Sequence, residues 1–376
     1  MDSSLHRVFV TGTGSFLPGQ PITNDRIDDV LGRLDDAPPR VLGFIRNVGP
    51  RMLEGSGIDF RHFAVDPESR RLTHSVSGLA EEAARRALAA AGRQPEDIEL
   101  LIVSCPNYDC STPPTSALLQ ERLGIERCAE MEIHSNCSGL GKAAQVAYDA
   151  LRLGRYRNAL IVLPQLSSVY LRAAYFNQAE ANKTQAALRY ILADGSGAVL
   201  FEAAERGFTG ARPREVLGAY VESVGGKMTP AMTAGGGVAD LLEAAPLTKT
   251  VFDRGRHHLD QDFAAVSRYA GVFLLEGTRR MLDALHVDPR SIDHFVFSIP
   301  TMQLYEQNFP QFAERLFVTP QSMQFRARKT GYCGGASVLI HFDDMVRGGE
   351  LQSGQLAVLH SVESSKWMTA GFLVRA

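Results

Sequence analysis

The 376-residue sequence has few cysteines, and none of them follows a pattern typical of a disulfide framework or a metal site. The five cysteines form no CxxC pair and do not cluster with histidines at metal-ligand spacing. An odd set of this kind argues against structural disulfides and against zinc. We expect Cys105, Cys110 and Cys128 to be small buried side chains. The sequence predicts no metal site.

Long apolar runs and long basic runs are also missing. No stretch of about eighteen apolar residues is present, which argues against a membrane span, and the N-terminus lacks the apolar core and cleavage site of a secretory signal. The formal net charge is -3, so the positive surface expected of a nucleic-acid-binding protein is absent. We expect a cytoplasmic protein whose partners are neither nucleic acids nor membranes.

An internal duplication is the most informative feature that the sequence does have. An Ala-rich amphipathic segment, a polar turn and an apolar strand end at residues 104–106, and the same pattern ends at residues 298–300. A second pair of segments keeps nearly the same offset, with Cys137 and Cys333 each preceding a helical pattern. Because chance similarity rarely keeps its register twice, the chain consists of two related halves.

Each half alternates helices and strands, which calls for parallel strands, crossover helices and a sheet buried on both faces. The segment ILADGSGAVLFEAA closes the first half near residue 205. We therefore place the N-terminal half at residues 1–205 and the C-terminal half at residues 206–376. Residues 227–256 have weak periodicity and three consecutive glycines, and we interpret them as a surface excursion that caps the site.

Cys137 lies where a short predicted strand, residues 131–135, passes through a turn of small residues into a long helix. The helix dipole and the unpaired N–H groups of its first turn stabilise a thiolate at such a position. Gly139 and Gly141 leave room for a substrate near the backbone. The pattern favours Cys137 as a nucleophile, and the alternative is a buried packing residue.

The segments NCSG, DGSGAVLFE and TPPTSALLQERLG, together with the duplicated ending, resemble the thiolase superfamily. Their order and spacing are most similar to β-ketoacyl-ACP synthase III. The resemblance implies an α/β protein with the thiolase fold, in which two βαβαβ halves form a five-layered α/β/α/β/α sandwich, and it implies a homodimer. It further implies that Cys137 accepts an acyl group from acyl-ACP or acyl-CoA, with no other cofactor.

Two residues of the family's condensing apparatus are replaced. Condensing members have a histidine after an Ile-Pro pair and an asparagine in a Gly-Asn-Thr-Ser turn, and these polarise the malonyl carbonyl. The matching positions hold Thr301 and Tyr332. We expect Tyr332 either to donate a hydrogen bond to the acyl carbonyl or to fill the malonyl pocket.

The glycine run that completes the family's oxyanion hole is replaced as well, by HSVESSKWMTAG at residues 360–371. His360 and Glu363 lie in this segment and are the leading candidates for a base that deprotonates an acceptor. The tryptophan and arginine that hold the CoA adenine are missing near the N-terminus, which favours a carrier-protein donor. Four residues are predicted to bind substrate or the oxyanion: Asn136, Gly139, Ser364 and Ser365.

The remaining candidates receive structural interpretations. We expect His134 to point into the sheet core, and we expect His257 and His258 to lie in a solvated helix start. Cys333 mirrors Cys137 through the duplication, and we interpret it as a wall residue.

These observations lead to three hypotheses. The first is a synthase III-like acyltransferase that loads an acyl group onto Cys137 and passes it to a small-molecule acceptor in specialised biosynthesis of the fatty-acid or polyketide type. The second is a decarboxylative β-ketoacyl-ACP synthase III with an altered apparatus. The third, from another class, is a non-catalytic subunit that forms a heterodimer with another ketosynthase.

Overall fold

Strands and helices alternate along the chain in the computed structural model, which describes residues 5–204, 213–242, 246, 249 and 251–376. The strands are β1 (Arg7–Phe16), β2 (Ile22–Thr23), β3 (Phe60–Arg61), β4 (Leu100–Cys105), β5 (Ala129–His134), β6 (Asn158–Gln165), β7 (Gly195–Ala204), β8 (Arg214–Ser223), β9 (Met232–Thr233), β10 (Asp260–Gln261), β11 (His294–Phe297), β12 (Leu356–Glu363) and β13 (Met368–Arg375). The α-helices are α1 (Ile27–Leu31), α2 (Pro39–Asn47), α3 (Gly49–Ser56), α4 (Val76–Ala91), α5 (Thr115–Leu123), α6 (Gly139–Arg152), α7 (Ser168–Leu171), α8 (Lys183–Leu188), α9 (Phe263–Ala284), α10 (Met302–Leu316) and α11 (Ser337–Arg347).

The main sheet has nine strands in the order β11-β12-β13-β8-β1-β7-β6-β4-β5. Its two parts meet where β1 and β8 pair antiparallel, from Val8 opposite Val216 to Val10 opposite Arg214. The sequence predicts parallel strands, and this is correct for β4 with β5 and β6 and for β11 with β12. It is wrong for β1, β7, β8 and β13, which pair antiparallel. Each half is therefore a mixed sheet.

Helices cover both outer faces of the two sheet parts and fill the space between them. Helices α4 and α5 lie on one outer face, α9 and α10 lie on the other, and α6 and α11 contact both parts from the middle. Since an apolar sheet face is stable only when it is covered, this arrangement gives five layers. The predicted fold class, a duplicated five-layered α/β sandwich, is confirmed.

The duplicated pattern reappears in the structure. Helix α6 follows Cys137, and α11 follows Cys333 after a short 3-10 helix at Gly334–Ala336. The boundary predicted at residues 205 and 206 lies outside the described residues. So does part of the predicted cap, of which β9 pairs with β10 and residues 230 and 232–237 line the central cavity. Among the helices in the described ranges, none is long and apolar enough to cross a bilayer.

Candidate active site

A cavity of about 1060 Å³ lies where the two halves meet, and Cys137 is in its wall. The N-terminal half contributes His134, Asn136 and Cys137, which follow one another from the end of β5 to the start of α6. The C-terminal half contributes Tyr332 before α11 and Glu363 at the end of β12. A cavity of this size, apolar with a few convergent polar groups, is typical of a small-molecule site.

The thiol of Cys137 is buried, with 8% of the residue exposed, and its Sγ lies 3.2 Å from the Tyr332 Oη. Burial raises the pKa of Cys137 to about 11. The hydrogen bond with Tyr332 lowers this pKa, whereas the charge of Glu363 raises it. The thiol is therefore protonated at neutral pH, although the sequence predicts a thiolate at this helix start.

Tyr332 and Ser298 face the thiol from the C-terminal half. Burial raises the pKa of Tyr332 well above its usual value, so its phenol keeps its proton. Ser298 is 3% exposed. Its Oγ has no partner at normal hydrogen-bond geometry among the described residues, yet it lies close enough to lower the pKa values of Cys137 and Tyr332. Ser298 is not among the residues predicted for the site, although the duplication pairs it with Ser104.

Glu363 does not have the geometry of a general base. Its Oε2 accepts hydrogen bonds from the Ser135 Oγ at 2.7 Å, the Asn136 N–H at 3.1 Å, the Ser138 N–H at 3.1 Å and the Ser138 Oγ at 2.5 Å. Its Oε1 accepts one from the Ser365 hydroxyl. Burial raises the pKa of Glu363, but the hydrogen bonds from Ser138, Ser365 and Ser135 outweigh burial, and the pKa is lowered. The predicted role as a base is therefore corrected.

His360 does not lie at the cavity. It is fully buried in β12, where its Nδ1 lies 3.3 Å from the Thr278 Oγ1 on α9. Burial lowers the pKa of His360 to about 3. Alternation along the strand is the reason, because Glu363, three residues further on, points to the opposite face of the sheet. The prediction of His360 as a base is thus wrong.

His134, rather than His360, is the histidine that lines the cavity. It is exposed and lines the cavity, and its ring lies 6.3 Å from the Tyr108 ring. The sequence predicts that its side chain points into the core, but β5 is an edge strand of the sheet, and its outer positions face solvent. Among the described residues, His134 is the only histidine in the cavity wall.

Thr301 lies in the cavity wall as predicted, at the start of α10. Its side chain is the N-cap of this helix, where the Oγ1 accepts a hydrogen bond from the Leu304 N–H at 3.2 Å. Thr301 therefore satisfies an unpaired donor of the first turn, which is a structural role typical of threonine at this position.

Of the four residues predicted to bind substrate or the oxyanion, three line the cavity and one, Gly139, does not. Ser364 and Ser365 line the cavity, in the turn between β12 and β13. The Asn136 N–H is occupied by Glu363, although Asn136 also lines the cavity. Gly139 packs away from the cavity, because an added Cβ there would lie 2.0 Å from the Ser104 Oγ. The prediction of Gly139 as a substrate-binding residue is therefore wrong.

Gly141 has a similar packing role. An added Cβ at Gly141 would lie 2.2 Å from the Gly371 N, so the glycine lets α6 approach β13 rather than admit a substrate. Both glycines let α6 pack closely against its neighbours.

The other cysteines and histidines bring further corrections. Cys105 is buried as predicted, whereas Cys128 is half-buried and Cys110 is exposed. His257 and His258 are buried rather than solvated, since they pack beneath residues 175–185. The His257 Nε2 lies 2.7 Å from the Tyr175 carbonyl oxygen, and the His258 Nε2 accepts a hydrogen bond from the Asn177 N–H at 3.0 Å.

The cavity also extends between α9 and α10. Val266, Ala270 and Leu274 line it from α9, and Leu304 and Phe312 line it from α10. Leu274 and Phe312 belong to the buried core of the C-terminal half. We call this part the apolar arm, although Ser267, Gln307 and Asn308 of the same two helices also line the cavity.

Comparison with known proteins agrees with this geometry. A family model for 3-oxoacyl-[acyl-carrier-protein (ACP)] synthase III matches residues 131–213. A second, for the C terminal of the same enzyme, matches residues 282–370. The first match contains Cys137, and the second contains Thr301, Tyr332 and Glu363.

Solved structures share the fold over almost the whole chain. AbyA1, a tetronic acid condensing enzyme, has a TM-score of 0.79 and 24% identity, covering 98% of this chain and 100% of that one. The priming β-ketosynthase of the R1128 polyketide pathway has a TM-score of 0.76 and 21% identity, with coverage of 99% and 97%. The 3-oxoacyl-[acyl-carrier-protein] synthase III of Aquifex aeolicus has a TM-score of 0.75 and 18% identity, with coverage of 98% and 100%. The chain therefore has the thiolase fold and carries both domains that characterise 3-oxoacyl-ACP synthase III, the family that it resembles.

Proposed function

We propose that this protein is an acyltransferase of the ketosynthase III type that loads an acyl group onto Cys137 and passes it to a small-molecule acceptor. The family it resembles consists of acyl-transferring and condensing enzymes. One observation carries the proposal: the Tyr332 hydroxyl lies 3.2 Å from the Cys137 Sγ, at the position where a condensing member has its asparagine.

The first step is a thioester exchange. The Cys137 sulfur attacks the carbonyl carbon of acyl-ACP or acyl-CoA, a new C–S bond forms, and the bond to the donor sulfur breaks. The thiol proton of Cys137 ends on the departing thiol, so the exchange is balanced without a cofactor. Tyr332 and Ser298 are placed to stabilise the sulfur while its proton leaves, because both lower its pKa.

Decarboxylation lacks its usual donors in this cavity. Thr301 caps α10 with its hydroxyl, and Tyr332 contacts the nucleophile. Each donor to a developing oxyanion contributes about 3 kcal/mol, roughly a hundredfold in rate. An acyl transfer needs an oxyanion hole and a base but no enolate stabilisation, so it is the reaction that these residues fit.

The second step transfers the acyl group to an acceptor hydroxyl, amine or thiol. His134 supplies the base, because it is the only imidazole among the described residues that lines the cavity. An imidazole is the side chain that most often serves as a general base. The proton of the acceptor passes to His134, the acceptor atom bonds to the acyl carbon, and the Cys137 sulfur leaves and is reprotonated.

The substrates follow from the shape of the cavity. The apolar arm takes the acyl chain, and an acyl carrier protein is the preferred donor because the tryptophan and arginine that hold the CoA adenine are missing. The protein acts as a homodimer in this proposal, as members of the family commonly do.

The test is to supply the protein with an acyl-ACP and acyl-CoA panel, and separately with malonyl-ACP. Intact mass records the acyl-enzyme, and radiolabelled malonyl-ACP records release of carbon dioxide. We expect a mass increase of one acyl group and no carbon dioxide above the background given by a Cys137→Ala control. Carbon dioxide release at a rate close to that of acyl loading would overturn the proposal.

Such a result would favour a decarboxylative ketosynthase, the second candidate. Its supporting observation is the similarity in fold to a tetronic acid condensing enzyme. A protein that accepts no acyl group from any donor and co-purifies with another synthase would instead be a non-catalytic subunit of a heterodimer.

A further inference from the structure

The carboxylate of Glu363 is attached to the turn that carries the nucleophile. Five hydrogen bonds converge on its two oxygens, and four of them come from Ser135, Asn136 and Ser138, the residues that surround Cys137. Glu363 itself lies 225 to 228 positions away in the sequence, at the end of β12. This set of contacts joins the two halves directly behind the thiol.

We propose that Glu363 is a positioning residue whose carboxylate holds the Cys137 turn in shape and opposes ionisation of the thiol. The proposal rests on Cys137 being the nucleophile. The resemblance assigns a glycine run to this segment of the chain, and a glycine has no side chain with which to make these contacts.

Glu363 occupies two backbone donors that flank Cys137, just before α6 begins at Gly139. The N–H groups at the start of α6 have no partner within the helix and form the positive end of its dipole. The N–H groups of Asn136 and Ser138 instead donate to the Glu363 Oε2, at 3.1 Å each. A negative charge at this place favours the neutral form of the neighbouring thiol.

A lysine balances the buried carboxylate from one turn further along α6. The Lys142 Nζ donates a hydrogen bond to the Ser135 Oγ at 2.9 Å, and the same hydroxyl donates to the Glu363 Oε2. The charge of Lys142 also lowers the pKa of Glu363. The carboxylate therefore stays ionised although it is only 3% exposed, and its Oε2 is occupied by donors of the Cys137 turn.

The experiment measures the rate at which iodoacetamide alkylates Cys137 as a function of pH, in the full-length protein. For Glu363→Gln we expect the midpoint of this profile to fall by about one pH unit, because a like charge beside the thiol is removed. For Lys142→Met we expect the midpoint to rise, because a cation is removed. We also expect acyl loading of Glu363→Gln to slow about tenfold, since the carboxylate no longer holds the turn in position.

Glu202→Gln is the matched control. Glu202 is also a buried carboxylate, paired with Arg93, but it does not line the cavity. Its midpoint and its loading rate should equal those of the wild type. If Glu363→Gln does not fold, Glu363→Asp can be used, because its shorter side chain keeps the negative charge but cannot make the same contacts. This variant should accept acyl groups more slowly, with an unchanged alkylation midpoint.

The alkylation midpoints of Glu363→Gln and Lys142→Met should shift in opposite directions. A general loosening of the turn would instead shift both midpoints in the same direction. The proposal would be overturned if both midpoints shifted in the same direction. It would also be overturned if Glu363→Gln kept the wild-type midpoint or the wild-type rate of acyl loading. Alkylation needs no acyl donor. A wild-type protein that shows the expected alkylation profiles but accepts no acyl group would therefore count against the proposed function and not against the role of Glu363 in the thiol's protonation.

Discussion

Cys137 and Cys333 occupy corresponding places in the two halves, each just before a helix that fills the middle layer. Cys137 lines the cavity beside Tyr332 and is 8% exposed. Cys333 is completely buried, and its Sγ donates to the Asp194 carbonyl oxygen at 3.2 Å. Burial raises the pKa of Cys137 to about 11 and that of Cys333 well above its usual value, with the charge of Asp194 adding to the rise.

The difference shows that corresponding places before a helix can give two thiols different surroundings. Both thiols are neutral at pH 7, but one has hydroxyl groups beside it that stabilise a developing thiolate, and the other faces a carbonyl oxygen that only accepts. The cavity is the second difference, because Cys137 lines it and Cys333 does not. The surroundings of the two thiols therefore differ through the side chains that the other half supplies.

The largest expected effect separates the two cysteines. Cys137→Ala should lose all covalent acylation, whereas Cys333→Ala should keep it within about twofold, because Cys333 has no access to the cavity. Intact mass after incubation with acyl donors measures both. An acyl group on Cys137→Ala, located to Cys333 by peptide mapping, would reverse the comparison.

His134 tests whether the two steps use different groups. For His134→Asn we expect acyl loading to match the wild type and transfer to the acceptor to slow by about a hundredfold or more, since a general base is removed. Pulse-chase measurement of acyl-enzyme decay gives the second rate. His360→Asn should leave both rates unchanged, and a loss of transfer in that variant would contradict the assignment.

Tyr332 tests the stabilisation of the sulfur. In Tyr332→Phe the hydrogen bond to the Cys137 thiolate is lost, which costs about 1.5 kcal/mol and should slow acyl loading about tenfold at pH 7. The pH midpoint of iodoacetamide alkylation should rise, because this hydrogen bond lowers the thiol pKa. A profile identical to that of the wild type would show that the 3.2 Å contact does not act on the nucleophile.

The smallest expected effect concerns stability and again distinguishes the halves. Burial lowers the pKa values of His341 and His360, both in the C-terminal half, to about 3. Because these values lie below the ordinary value of 6.5, the unfolded chain binds protons first as the pH falls. The resulting stability is complete above pH 6.5 and is lost as the pH falls toward 3.

Between pH 7 and pH 5.5 each of these histidines should lower the free energy of unfolding by about 1 kcal/mol. Urea unfolding of the wild type and of His360→Leu at the two pH values measures the contribution of His360. Removal of the His360 imidazole should reduce the loss of unfolding free energy at the lower pH. An equal loss in the wild type and in His360→Leu would refute the burial argument.

Much of the architecture follows from the sequence. The duplication, the helix after each cysteine and the five layers come from periodicity and from the resemblance. The antiparallel strands β1, β7, β8 and β13 do not, because a buried strand looks apolar whichever way its neighbour runs. The placement of Cys137, Thr301 and Tyr332 in one cavity also agrees with the sequence prediction.

The errors at the site come from the direction of side chains. His360 and Glu363 are three residues apart on one strand and point to opposite faces, so one lies in the core and the other at the nucleophile. His134 lies on an edge strand, which periodicity does not reveal. Ser298 was detectable, because the duplication pairs it with Ser104, but its contact with Tyr332 depends on the fold.

The sequence by itself determined the two halves, the cysteine at the start of α6 and the replacement of the family's histidine and asparagine by Thr301 and Tyr332. Only the tertiary structure decided which cysteine meets a cavity, which histidine lines it and what Glu363 does. The physical reason is that pKa and hydrogen bonding depend on burial and on partners that lie far apart in the chain. The carboxylate of Glu363 reaches Ser135 across 228 positions, and no local pattern specifies that contact.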